Sequence, residues 1–414
     1  MGDHVVDEGT DEERRHRFTK ALLDDLNTLQ EILEGGHIES GIRRVGAEQE
    51  MFLVDADCDP APLSPQILDI LKDDRFTTEL GRYNLEANLP PLPFGGGFLR
   101  QLEAHLSEIN ATARAAAAQL GGDVLLVGIL PTLQRAHLAL EFMTPNPRYY
   151  ELNRVMTELA GGRFKTLIEG TDEIRLDHDN VMLEACNTSY QLHWQVEAQE
   201  FTQAYNIAQL ITAPLMAVSV NSPCLFGKRL WHETRIALFE QSVDVRHEAG
   251  AARGQTRRVG FGDHWVNEGI LELFRENIAH HRVVLSQDTG ELSSKRMARG
   301  EMPSLKALCL HNGTVYRWNR PCYGVVGGVP HIRIENRVIP AGPTIIDQVI
   351  NAALFFGLMN GMPEHVPDPR GRIPFDACRA NFVAAARQGM YAGFHWLDDR
   401  DIAADVLLKE ELIP

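Results

Sequence analysis

The chain has 414 residues, 57 acidic against 40 basic, and a formal net charge of −17, long enough for one large domain or two to three ordinary ones. The acidic balance argues against nucleic acid as a partner, because phosphate backbones select basic surfaces, yet it leaves room for a nucleotide held locally. Six scattered cysteines (Cys58, Cys186, Cys224, Cys309, Cys322, Cys378) contain no C-x-x-C pair, which leaves zinc knuckles and redox motifs unsupported and reduced thiols expected.

Taken in chain order, Met1 to Arg15 is polar and acidic without the apolar run of a secretory signal, and a cytoplasmic protein is expected. Phe18, Leu22, Leu26, Leu29, Ile32 and Leu33 form an apolar stripe that predicts a helix over 11–34, ended by Gly35-Gly36 and lying outside the main sheet. A strand is predicted over 42–54, then a short helix opening at Ser64-Pro65-Gln66 with an N-cap and a first-turn proline. A second strand spans Glu79 to Asn88 before the Pro90-Pro91-Leu92-Pro93 breaker, and a helix over 98–119 leads into the apolar strand Asp123–Gly128. Further helices are predicted near 148–160, 200–219, 231–241, 265–279 and 343–360, and strands near 181–197, 305–318 and 329–339. The most apolar helical stretch, Ala204 to Val220, carries Tyr205, Asn206, Gln209, Thr212 and Pro214, so it reads as a core helix and no membrane is expected. This mixed order predicts an α+β fold on an antiparallel sheet. Three segments divide the chain: an N-terminal helical segment (1–40), a main domain (41–361), and a proline-opened helical extension of that domain (362–414).

Three strands share an unusual pattern. His331-Ile-Arg-Ile-Glu-Asn-Arg-Val338 places His331, Arg333, Glu335 and Arg337 on one face at a period of two. Two guanidinium groups around a carboxylate suit a ligand better than a core, since unpaired buried charges are costly. Glu48 and Glu50 share a face of the first strand, and Ser189, Gln191, His193 and Gln195 share a face of another. Glu79 and Glu86 are seven apart, an odd spacing that an unbroken strand puts on opposite faces; either a bulge at Gly81 restores them to one side or Glu79 lies in the preceding loop. Carboxylates with a histidine suit Mg2+ or Mn2+, and arginines add bidentate donors for nucleotide phosphates. Phosphoryl transfer from ATP is the chemistry this composition allows. Gly95-Gly96-Gly97 lacks the lysine of a Walker A loop, so phosphates would be held by metal and side chains. Trp194 and Trp318 are expected to pack rather than to stack on adenine.

Val45-Gly-Ala-Glu-Gln-Glu-Met-Phe-Leu-Val54, Thr78-Glu-Leu-Gly-Arg-Tyr-Asn-Leu-Glu86, Asn221-Ser-Pro-Cys-Leu-Phe-Gly227 and Arg333-Ile-Glu-Asn-Arg-Val-Ile-Pro-Ala-Gly342 together resemble the glutamate-cysteine ligase type 2 (carboxylate-amine ligase) family over roughly residues 41–361. The resemblance implies a glutamine-synthetase-like fold, in which a curved antiparallel sheet forms a funnel-shaped active site with helices packed outside. It implies metal ligation by Glu48, Glu50, Glu79, Glu86, His193 and Glu335. It also implies catalytic roles for Glu335, Arg337 and Arg333, and contact with the nucleotide by Arg337 and Arg235. The implied reaction joins a small carboxylate, glutamate or similar, to an amine with ATP through an acyl phosphate, forming an amide that is γ-glutamyl in the typical member; the resemblance also allows a homo-oligomer. His311, Tyr316, Arg317, Trp318 and Arg320, where the chain departs from typical members, are expected to line an acceptor pocket. Two other readings stay open on the residues alone: a metal-dependent hydrolase using the same carboxylates, and a non-catalytic protein that binds amino acid or nucleotide.

Overall fold

The computed structural model describes residues 11–246 and 255–413. Its centre is an eight-stranded sheet in which every pairing is antiparallel. Across the sheet the main path runs Asn319–Val326, Val329–Asn336, Tyr190–Val196, Arg44–Val54, Asn84–Asn88 and Phe76–Thr78, with Leu92–Pro93 and Asp123–Leu125 also paired to Arg44–Val54. Strands distant in sequence thus lie side by side, and three of them carry the polar faces read above.

The face opposite those polar residues is the core. Tyr190, Leu192, Trp194, Val196, Ile332 and Ile334 are buried on it, and the helices Phe98–Ala118, Phe201–Ser219 and Ile345–His365 pack behind it and against one another. Trp194 meets the rings of Phe94 at 4.9 Å and Phe356 at 5.9 Å, and Trp318 meets Phe239 and Phe382, each at 5.8 Å, so both tryptophans pack as expected. Phe201–Ser219 is buried along almost its whole length, the core helix its polar interruptions indicated. Ile345–His365 is long and apolar enough to cross a membrane, but half of its most apolar window is buried against the rest of the chain, which marks a core helix.

The helix Asp11–Glu34 buries Phe18, Leu22, Leu29 and Ile32 against the helices Ile270–His280, Ser293–Met297 and Lys306–Asn312. The third of these corrects the strand predicted over 305–318. Lys306–Asn312 is helical, and strands form only at Tyr316–Arg317 and from Asn319. Leu305 brings no side-chain cap to that helix; the buried carboxylate of Asp25 supplies one, accepting from Leu308 N at 3.0 Å. A cap delivered from a residue 283 positions away leaves no mark on the local sequence. The strand predicted over 181–197 is likewise shorter: Val181–Cys186 forms a 3₁₀ turn started by Asn180, whose side chain accepts from Met182 N at 2.9 Å, and the strand begins at Tyr190. A hairpin of Phe164–Glu169 with Glu173–His178 was not predicted, although one edge alternates buried and exposed along both strands.

Candidate active site

Register builds the site. Glu50 lies opposite Glu86 on one side, Glu48 opposite Gln191 on the other, and Glu335 opposite both His193 and Arg320. Glu79 reaches the same face by a route the sequence left open. Residues 76–78 and 84–88 are two arms of a hairpin with Thr77 opposite Glu86, so Glu79, two residues beyond Thr77 in the connection, returns to the side of Glu86. The odd spacing of seven is therefore absorbed by a chain reversal and not by a bulge inside one strand.

Two sets of three result. In each, one ligand atom per residue lies within 4.8 Å of the others: Glu48, His193 and Glu335 in one, Glu50, Glu79 and Glu86 in the other. All six residues expected as metal ligands are brought together.

Electrostatically the sets are opposites. Glu335, 1% exposed, is surrounded by donors: Arg337 Nη1 at 2.5 Å, Arg320 Nη2 at 2.8 Å and the Cys322 thiol at 3.3 Å. Burial pushes its carboxyl up, but Arg320, Arg337 and His193 outweigh that and hold it well below the usual carboxylate range. Glu48 is likewise lowered, burial being outweighed by His193, whose Nε2 lies 2.9 Å from Glu48 Oε1. In the second set no arginine forms an ion pair with Glu79 or Glu86 among the described residues. Burial and then the charges of Glu48, Glu79 and Glu50 raise Glu86 well above its ordinary value, and burial with the Glu50 charge pushes Glu79 up to about 8. Burial also raises Glu50, against the pull of Arg337 and of the Ser189 N–H, which donates to Glu50 Oε2 at 2.6 Å. Three crowded carboxylates that form no ion pair among the described residues, with Arg337 only partly offsetting their charge, make a site short of positive charge.

Arg337 joins the two sets, since its Nη1 also donates to Gln191 Oε1 at 2.6 Å and Gln191 Nε2 donates to Glu50 Oε1 at 2.6 Å. The Nε atoms of Arg337 and Arg320 are buried with no hydrogen-bond partner among the described residues, two donors left available beside the carboxylates. Arg333 Nε donates to His193 Nδ1 at 3.1 Å, which puts the imidazole proton on Nε2 facing Glu48.

Arg235 has different surroundings from those expected of a nucleotide contact. It is 3% exposed, with Nη1 donating to Glu233 at 2.8 Å and to the Val338 carbonyl at 3.1 Å, and Nη2 to the Arg337 carbonyl at 3.2 Å. It braces the backbone that carries Arg337. The expected acceptor pocket is also corrected. His311 Nε2 meets the His281 carbonyl, Arg317 binds Asn277 and Glu276, Tyr316 packs on Phe239 and Trp318 is in the core. Of the five, Arg320 alone lines a described cavity. That cavity, about 470 Å³, also touches Arg148, Lys306, Cys322 and Arg333. A second cavity of about 540 Å³ opens beside Glu48 and His193 and is walled by Val45, Ala47, Leu89 and Pro91.

Sequence reasoning missed Glu184. It stands on the 3₁₀ turn before the Tyr190–Val196 strand, and burial with the Glu50 charge, partly offset by Arg337, pushes its carboxyl up to about 7. A turn residue has no periodicity to betray it.

The sequence model of glutamate-cysteine ligase family 2 (GCS2) matches residues 44–412. No curated protein matches the chain. Among solved structures, the glutamate-cysteine ligase of Francisella tularensis in complex with AMP is similar with a TM-score of 0.52 and 12% identity, covering 90% of this chain and 77% of that one. That likeness supports the fold: a curled antiparallel sheet with helices outside. A bifunctional glutathione synthetase from Pasteurella multocida aligns with a TM-score of 0.46 and 10% identity over 90% of this chain, which spans 43% of that protein's length.

Proposed function

The chain belongs to glutamate-cysteine ligase family 2, and from that premise we propose how it works as an ATP-dependent ligase that forms an amide bond. The observation that carries the reading is the pair of triads on one sheet face with Arg337 between them. Family membership sets aside the hydrolase and the non-catalytic binder.

In the proposed reaction an oxygen of the substrate carboxylate attacks the γ-phosphorus of ATP, ADP leaves, and an acyl phosphate forms. The amine nitrogen then attacks the acyl carbon, phosphate leaves, and the nitrogen gives a proton to solvent. The donor sets fit divalent cations: Glu50, Glu79 and Glu86 offer oxygen alone, as Mg2+ prefers, and Glu48, His193 and Glu335 add one nitrogen, as Mn2+ tolerates. Bound there, such ions would neutralise phosphate charge and draw in the carboxylate. Arg333 donates to His193 Nδ1 and so orients the ring that would help to hold a cation with Glu48 and Glu335. Arg337 and Arg320 direct their unpartnered Nε donors to the transferred phosphoryl group, where negative charge is greatest. Glu335 fixes both guanidinium groups, and Arg235 fixes the backbone beneath Arg337. We assign the nucleoside to the apolar-walled cavity beside Glu48 and His193 and the reaction to the cytoplasm, where ATP is supplied.

The test is isotopic. With the substrate acid labelled by 18O in its carboxylate, one label per turnover should appear in the released phosphate, and ADP release should need acid, amine and Mg2+ or Mn2+. ADP release independent of the acid, or unlabelled phosphate, contradicts the reading.

A further inference from the structure

We infer that His264, Glu272 and Glu276, outside the polar sheet face, form a site for one divalent transition-metal ion of the Zn2+ kind, which pins the loop before the helix Ile270–His280 to that helix. The inference stands apart from the ligase reading, because none of these residues belongs to either triad. One ligand atom from each lies within 4.8 Å of the others. Glu272 and Glu276 are four apart on the helix and so share a face, and His264 reaches that face from the loop.

His264 Nε2 lies 3.0 Å from Glu272 Oε1 and 2.9 Å from Glu276 Oε1. An imidazole carries at most one proton on Nε2, so two carboxylate oxygens face a single donor. A divalent ion in that space would meet all three atoms at once. A tetrahedral ion with ligands at about 2.0–2.2 Å holds them about 3.3 Å apart, slightly wider than they stand. The remaining carboxylate oxygens are already taken. Glu272 Oε2 accepts from Asn267 N at 2.7 Å and Glu268 N at 2.5 Å, and Glu276 Oε2 accepts from Arg317 Nη2 at 2.7 Å. Each acid thus has one oxygen fixed by an outside donor and the other turned toward His264, which is how partners beyond the ligands orient a metal site.

The loop that delivers His264 is equally fixed. Trp265, next in the chain, is buried against Phe375 with its Nε1 donating to the Ile373 carbonyl at 3.2 Å. Val266 exchanges hydrogen bonds of 2.9 and 3.0 Å with the buried side chain of Asn206 on the core helix. Burial pushes the Glu272 carboxyl up, but the N–H groups of Glu268 and Asn267 and the His264 ring outweigh it and hold it below the usual range. No proton therefore competes for its ligating oxygen near neutral pH. One nitrogen with two carboxylate oxygens suits zinc better than Mg2+, which keeps to oxygen. His264 is half exposed, which leaves the remaining position open to water.

Wild type, His264→Gln and His264→Cys would be dialysed against micromolar Zn2+ in excess Mg2+, and the bound zinc counted by mass spectrometry. Wild type should hold one zinc per chain more than His264→Gln, whose amide keeps a hydrogen bond but offers no ring nitrogen. His264→Cys should regain that zinc through its thiolate. The zinc-dependent rise in Tm, a mass-action effect, should shrink in His264→Gln, and the affinity of this site should weaken about tenfold or more. Anomalous diffraction at the zinc edge locates the ion, and a peak between His264, Glu272 and Glu276 upholds the site. Equal zinc in wild type and His264→Gln, or anomalous zinc confined to the two triads, overturns it and leaves His264 an ion-paired surface histidine. None of these readouts needs turnover, so they stand even if the chain releases no ADP.

Discussion

Glu335→Gln and Glu86→Gln are the same isosteric change within one site, and the structure predicts opposite effects on the metal-free protein. Glu335 neutralises two guanidinium groups that are themselves largely buried. At a charge separation of about 4 Å and an effective dielectric of about 20, each attraction is worth about 4 kcal/mol. Against the sum of about 8 kcal/mol stands the desolvation of the carboxylate, several kcal/mol, which the amide escapes. The expected loss is about 3–5 kcal/mol, the range for stripping one partner from a buried ion pair. Unfolding entropy of about 2.1 cal/mol/K per residue gives about 0.9 kcal/mol/K for a chain this long, so Tm should fall by about 3–6 °C. Glu86 is the reverse case. Burial and three neighbouring carboxylates already favour its neutral form, so the amide should leave Tm in EDTA within about 1 °C of wild type or raise it slightly. Scanning calorimetry in EDTA and again in Mn2+ reads both effects: wild type should gain stability with the ion by mass action, and Glu86→Gln should lose most of that gain. Turnover should fall in both variants by about 100-fold or more. A Glu335→Gln protein as stable in EDTA as wild type, or Glu86→Gln destabilised equally, would refute the electrostatic division between the triads.

The remaining predictions concern the scaffold. His281 has its pKa lowered to about 3 by burial and by Arg258 and Arg317, so the unfolded chain takes up a proton that the folded one refuses below about pH 6.5. Its contribution to stability is complete above that pH and is lost as pH falls toward 3, and the Tm difference between wild type and His281→Gln should shrink over that interval. Asp25→Ala should cost about 1–2 kcal/mol by uncapping Lys306–Asn312, with Asp25→Asn retaining most of it in a denaturant titration. Gly342→Ala should cost at least about 2 kcal/mol, because Gly342 has φ +77° and an added Cβ would meet the Leu126 carbonyl oxygen at 2.0 Å; a melting curve matching wild type would contradict this. Arg235→Ala leaves the fully buried Glu233 unpaired and should destabilise by about 3–5 kcal/mol, lowering the urea midpoint.

The period of two carried much of the site. Glu48 with Glu50, His193 with Gln191, and Glu335 with Arg333 were assigned to shared faces because strand geometry fixes them without knowledge of the neighbours. Glu79 depended on a chain reversal between Thr78 and Asn84, which the two-residue rule cannot express. The segment at 306–312 was misread because seven residues fit either period, and the arbiter, Asp25, lies on another helix. Arg235 follows from the family resemblance and the acceptor-pocket residues from the one segment that departs from typical members, whereas their partners, Glu233, Glu276, His281 and the aromatic core, are set by packing. Glu184 and Arg148 sit on a turn and at a helix start, places where their direction is decided in three dimensions.

Anomalous diffraction from crystals grown with Mn2+ and a non-hydrolysable ATP analogue tests the account where it is most exposed. It predicts manganese peaks at Glu50, Glu79 and Glu86 and at Glu48, His193 and Glu335, with the triphosphate reaching toward Arg337. Manganese bound elsewhere, or a triphosphate remote from these six residues, would contradict it.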